Sequence, residues 1–180
     1  MCRMTGGLRE ATDKEKRMAI AFNADEIFEM AQRIETNGAA FYRKAAGMFP
    51  GKPAEKLLQD LAAMEDAHYE VFKEMRSHLG NNEAKSTTYD PEGQAALYLQ
   101  AFADGHIFDT QTAPADRLTG AETLADILQT AIGLEKDSVV FYTGLRQLVP
   151  AKLGKDRINA IIEEEMRHIT TLNRELVAVV

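Results

Sequence analysis

The chain has 180 residues, a formal net charge of −7, four histidines and a single cysteine. This length predicts one domain able to bury a sizeable core, and 45% hydrophobic with 27% charged residues excludes general disorder. The acidity argues against nucleic acid as a partner, no run reaches the ~20 apolar residues that span a bilayer, and lone Cys2 leaves Asp, Glu and His as the ligands for any metal.

Residues 1–22 read as a polar N-terminal tail without the apolar centre of a secretory signal, so a cytoplasmic location is expected. Asn23-Ala-Asp-Glu26 is an N-cap followed three residues later by Glu. Ile27, Ala31, Ile34, Gly38, Phe41, Ala45 and Met48 continue it as a helix with one apolar face. Pro50-Gly51 stops that run. A second helix starts near Pro53, places Leu57, Leu61, Met64, His68, Phe72, Met75 and Leu79 on one face, and ends at Gly80-Asn81-Asn82. Residues 81–118 form a crossover, in which Asp90-Pro91 predicts a short helix to about Ala103.

Thr119-Gly-Ala-Glu122 reads as the capping box that opens a third long helix. Its apolar face carries Leu124, Ile127, Ala131, Leu134, Phe141, Leu145 and Leu148, and Pro150 closes it. A fourth helix, from roughly Lys152 to Ala178, buries Ile158, Ile161, Glu165, His168, Leu172 and Leu176. No alternating strand pattern of useful length occurs. Four long helices with one long crossover predict an all-α protein over 23–180, a ferritin-like four-helix bundle rather than a simple up-down-up-down one.

The chain also repeats itself. Ile34-Glu35 with Phe41-Tyr42 on the first helix matches Leu134-Glu135 with Phe141-Tyr142 on the third. Glu65-Asp-Ala-His68 on the second matches Glu165-Met-Arg-His168 on the fourth. The offset is 100 residues throughout, so helix pairs 23–80 and 119–178 are two copies of one unit. The repeated polar residues fall on the apolar faces. Glu and His three apart lie one turn apart and point the same way. Four carboxylates facing one core without Lys or Arg are strongly unfavourable. Either some become protonated and hydrogen-bond together, or cations bind between them. Two divalent ions offset four carboxylate charges. One Glu from each of two helices plus Glu-x-x-His from each of the other two is the pattern of a di-iron or di-manganese carboxylate site. Zinc is also compatible with such ligands.

At these residues the sequence resembles the rubrerythrin branch of the ferritin-like di-iron proteins, over about residues 24–178. The resemblance implies two iron ions. Glu35 with His68 would serve one iron, Glu135 with His168 the other, and Glu65 and Glu165 would bridge them. It implies oxidation of Fe(II) by O₂ or H₂O₂, a ferroxidase or peroxidase. Tyr42 and Tyr142, each seven residues after a ligand Glu, would hydrogen-bond to the site carboxylates; the other reading is that Phe41-Tyr42 and Phe141-Tyr142 fill the core. Two departures stand out. Rubrerythrins usually carry a further Glu one turn after the third helix's ligand, where this chain has Ser138. They also carry a four-cysteine rubredoxin module, which this chain's single cysteine cannot build, so a separate electron-donor protein is implied, and a homodimer is expected.

A non-enzymatic bundle holding Zn or Mn for stability or assembly is the alternative function. A quinone-modifying di-iron hydroxylase is a third, weakly opposed by a mean hydropathy of −0.30. Among the remaining polar residues, His106 reads as a crossover histidine packed under the bundle end and His78 as a surface residue at a helix C-terminus. Glu163 and Glu164 read as solvated, and Met64, Met75 and Met166 as core filler.

Overall fold

A computed structural model describes residues 23–80, 113–149 and 151–180. Four long helices dominate it: α1 (Ala24–Ala46), α2 (Pro53–Ser77), α3 (Leu124–Leu148) and α4 (Lys155–Val179). Short 3₁₀ turns, Pro114–Arg117 and Ala151–Leu153, precede α3 and α4. No strand occurs among the described residues, and the all-α bundle expected from periodicity is observed. The N-terminal tail, Cys2, the short helix expected from Pro91 to Ala103, and His106 lie outside the described residues.

Local chemistry sets the helix starts. The Asn23 side chain accepts from the Glu26 amide at 2.9 Å, and the Glu26 carboxylate accepts from the Asn23 amide at 3.0 Å. This capping box satisfies two amides that the first turn leaves without intrahelical partners. α1 ends at Ala46, so Met48 lies past the helix rather than on its stripe.

Two starts differ from the sequence reading. Only half of the Thr119–Glu122 box forms: the Thr119 and Gly120 amides donate to Glu122 at 2.8 and 2.9 Å, but the Thr119 hydroxyl accepts from the Ala121 amide instead of that of Glu122, so the segment closes a turn and opens no helix. Gly120 sits at φ +90°, a left-handed conformation incompatible with a right-handed first turn. The true cap is the next box, Thr123 with Asp126. Likewise α4 starts at Lys155 rather than near Lys152, because Gly154 at φ +98° interrupts the chain between the 3₁₀ turn and the helix.

The apolar faces separate into two clusters. One gathers Ile27, Phe28 and Ala31 with Phe72, Phe141, Leu145, Ile158 and Ile162. The other gathers Phe41 and Ala45 with Leu58, Leu61, Ile127, Ala131 and Leu172. On every long helix the chain passes from one cluster to the other, and the polar repeat residues occupy the crossing point. Glu35 falls between Ala31 and Phe41, Glu65 and His68 between Leu61 and Phe72, Glu135 between Ala131 and Phe141, and Glu165 and His168 between Ile162 and Leu172. The fold thus holds one polar layer in mid-bundle between two hydrophobic ends.

Candidate metal centre

Each helix contributes to that layer through its own periodicity. A buried Glu on α1 and on α3, and a Glu–His pair one turn apart on α2 and on α4, all face inward. Glu35, Glu65, His68, Glu135, Glu165 and His168 are all buried, at 5% exposure or less. They form two overlapping groups, Glu35, Glu65, His68 and Glu165, and Glu65, Glu135, Glu165 and His168. Within each group the candidate ligand atoms lie within 4.8 Å of one another. Glu65 and Glu165 belong to both. The structure therefore brings together all six residues singled out by the repeat.

The imidazoles face the carboxylates with Nδ1. His68 Nδ1 stands 3.1 Å from Glu165 and 3.6 Å from Glu35. His168 Nδ1 stands 2.9 Å from Glu165, 3.5 Å from Glu135 and 3.7 Å from Glu65. The two rings lie nearly parallel, 5.9 Å apart. Both tyrosines are fully buried and cross the bundle: Tyr42 donates its hydroxyl to Glu135, and Tyr142 donates to Glu35. They fill the core and hold the carboxylates at once, so the two sequence readings of these residues hold together.

The donor set leaves atoms over that suit a cation. Glu35 Oε2, Glu65 Oε1, His68 Nδ1, both Glu165 carboxylate oxygens and His168 Nδ1 are buried without a hydrogen-bond partner. Such atoms are costly singly, and here they converge in one layer. Backbone spacing also preserves the room: a Cβ on Gly38 would stand 3.1 Å from Glu65 Oε2. Carboxylate oxygens with one imidazole per group suit iron or manganese and admit zinc. The residues fit a pair of divalent ions.

The profile of the ferritin-like domain family matches residues 23–178. This chain belongs to that family. A crystal structure from Thermotoga maritima, described as that of a candidate ferritin-like diiron-carboxylate protein, has the same fold. The likeness has a TM-score of 0.65 and covers 89% of this chain and 98% of that one, at 24% identity. No curated protein matches the chain.

Electrostatics within this ferritin-like domain favour protons on Glu65, Glu135, His68 and His168. Burial, reinforced by Glu35, pushes the Glu65 carboxyl well above the usual carboxylate range. Burial lifts Glu135 to about 8 against the pull of His168. Burial would lift Glu165 too, but His168 and His68 outweigh it and hold that carboxyl at about 2. Burial opposes charge on the imidazoles. The neighbouring carboxylates nevertheless raise His68 to about 11 and His168 to about 9. Protonation and cation binding, the two reliefs expected from the sequence, would compete for the same atoms.

Two residues at the layer's rim meet the imidazoles from outside. Glu164 is 44% exposed, as its solvated reading expects, and also accepts from His68 Nε2 at 2.8 Å. Met64, read as core filler, is 44% exposed, and its Sδ lies 3.0 Å from His168 Nε2. Each directly precedes a Glu-x-x-His, so the repeat offset that links the ligands links these two as well. Met166 is also exposed, whereas Met75 is buried as expected. His78 caps the α2 C-terminus at the surface. None of the described helices is long and apolar enough to cross a membrane.

Proposed function

We propose that this chain is a di-iron carboxylate protein that oxidises Fe(II) with O₂ or H₂O₂, a rubrerythrin-like ferroxidase or peroxidase. The observation that carries this reading is the pair of overlapping buried groups sharing Glu65 and Glu165. Glu35 and His68 would hold one ion, Glu135 and His168 the other, and the shared carboxylates would bridge them. The iron pair would supply two electrons to one oxidant, a two-metal role. The description of the Thermotoga neighbour as a diiron-carboxylate protein supports the same reading.

The chain's own residues do the rest. Tyr42 and Tyr142 hold Glu135 and Glu35 from opposite sides. The apolar clusters at either end keep bulk water from the layer. Loading requires the protons on His68, His168, Glu65 and Glu135 to leave. A narrow cleft lined by Asn37, Gly38, Pro114, Leu134 and Ser138 borders Glu65, Glu135 and Tyr42. A separate protein would return the electrons.

Anaerobic loading with two Fe(II) per chain, followed by oxidant, tests this. A di-ferric absorption band is expected, abolished in Glu65→Ala. A spectrum unchanged by oxidant, and identical in the variant, sinks the reading.

Buried Ser138, in place of the further Glu of rubrerythrins, favours a second reading. There the bundle holds Zn or Mn without redox chemistry. Tight zinc in protein from its native host, with no oxidant reaction, would support it.

A further inference from the structure

We propose that Glu164 and Met64 make the two metal positions unequal, so that the position of Glu35 and His68 fills first; this rests on the metal reading above. The two halves of the site agree in part at the inner atoms, although only His168 Nδ1 also approaches Glu65, at 3.7 Å. Each His Nδ1 faces the shared Glu165, at 3.1 and 2.9 Å. Each terminal carboxylate accepts from the tyrosine of the other helix pair. The outer faces of the imidazoles break this agreement.

Behind His68 stands the Glu164 carboxylate, 2.8 Å from Nε2. Behind His168 stands the Met64 thioether, 3.0 Å from Nε2. Both acceptors lack a proton to give, so each ring carries its hydrogen on Nε2 and turns Nδ1 inward. They differ in strength. An anionic carboxylate is a strong acceptor, and a thioether sulfur a weak one. An acceptor behind a ligating imidazole fixes the ring and raises its basicity. His68 is therefore the better donor of the two. Arg167 lies 3.5 Å from the other Glu164 oxygen. Arg167 is 64% and Glu164 44% exposed, so solvent screens their pairing, and the effect on His68 rests on the direct 2.8 Å hydrogen bond. Glu164 and Met64 are positioning residues, acting through the rings they back.

Titrating the metal-free chain with Co(II) alone, followed by calorimetry and visible absorption, tests the inference. Two binding events of unequal affinity are expected. Glu164→Gln keeps the shape and an acceptor but removes the charge. It should weaken the tighter event by on the order of 10- to 100-fold, bringing the two together. Met64→Glu should tighten the weaker event by a similar factor. Neither substitution should move the melting temperature of the metal-free protein by more than a few degrees, which separates positioning from folding. Equal affinities in the parent, moved by neither substitution, overturn the inference while leaving the metal reading intact. Failure of the parent to bind Co(II), or binding indifferent to Glu65→Ala, overturns the metal reading itself.

Discussion

Tyr42 and Tyr142 each start on the helix of one carboxylate and finish on the carboxylate of the other helix pair. Burial first, then the facing carboxylate charges, raise both phenols well above their ordinary range, so the hydroxyls stay protonated and donate. The rings also pack, Tyr142 against Phe72 at 5.0 Å, so a Tyr→Phe substitution removes the donor and keeps the packing. In the metal-free protein it leaves a buried carboxylate oxygen without its partner. Tyr42→Phe and Tyr142→Phe should each cost about 1–3 kcal/mol, read as a lower urea midpoint at unchanged slope. A loss near zero in both would mean that the rings act through packing alone.

At the scale of the element, two glycines show how the same substitution changes sign with conformation. Gly133 lies inside α3, exposed, with open space where a Cβ would go. Gly133→Ala should stabilise the chain by about 0.5–1 kcal/mol through helix propensity. Gly154 sits at φ +98°, and a Cβ there would stand 3.0 Å from Met75 Cε. Gly154→Ala should cost about 1–2 kcal/mol through left-handed strain. Paired thermal melts check both. These termini also mark the limit of what periodicity can tell. The helices and all six polar-layer residues were legible because duplication writes the same face twice at helical spacing. The start of α3 was not. Thr119/Glu122 and Thr123/Asp126 both satisfy the capping signature, and only the backbone turn at Gly120 decides between them. Glu164 and Met64 escaped for a different reason. Spacing along one helix says which face a residue occupies, but not which side chain of the next helix it meets at the rim.

Across the whole molecule, a polar layer between two apolar clusters couples stability to pH and, on the proposed function, to metal as well. Glu135 is lifted from the ordinary 4.5 to about 8. Its stabilisation is complete below about 4.5 and lost as pH rises through 8. His168 and His68 are lifted from 6.5 to about 9 and about 11. Their contributions are complete below 6.5 and lost as pH rises through those values. Glu65, raised by burial and Glu35, acts in the same sense as Glu135. Glu165 is depressed to about 2. Its stabilisation is present above 4.5, lost only in acid, and constant over the neutral range. The melting temperature of the metal-free protein should therefore fall steadily from pH 5 to pH 9. A metal held as proposed would bind the deprotonated ligands, so its affinity would rise over the same range. At a free concentration 100 times Kd it adds about 2.7 kcal/mol per site. The gap in melting temperature between loaded and metal-free protein should accordingly widen from pH 5 to pH 8 at fixed free metal. A metal-free protein that grows more stable over that interval, or a gap that closes, would mean that protons and metal do not compete for the buried Glu and His atoms.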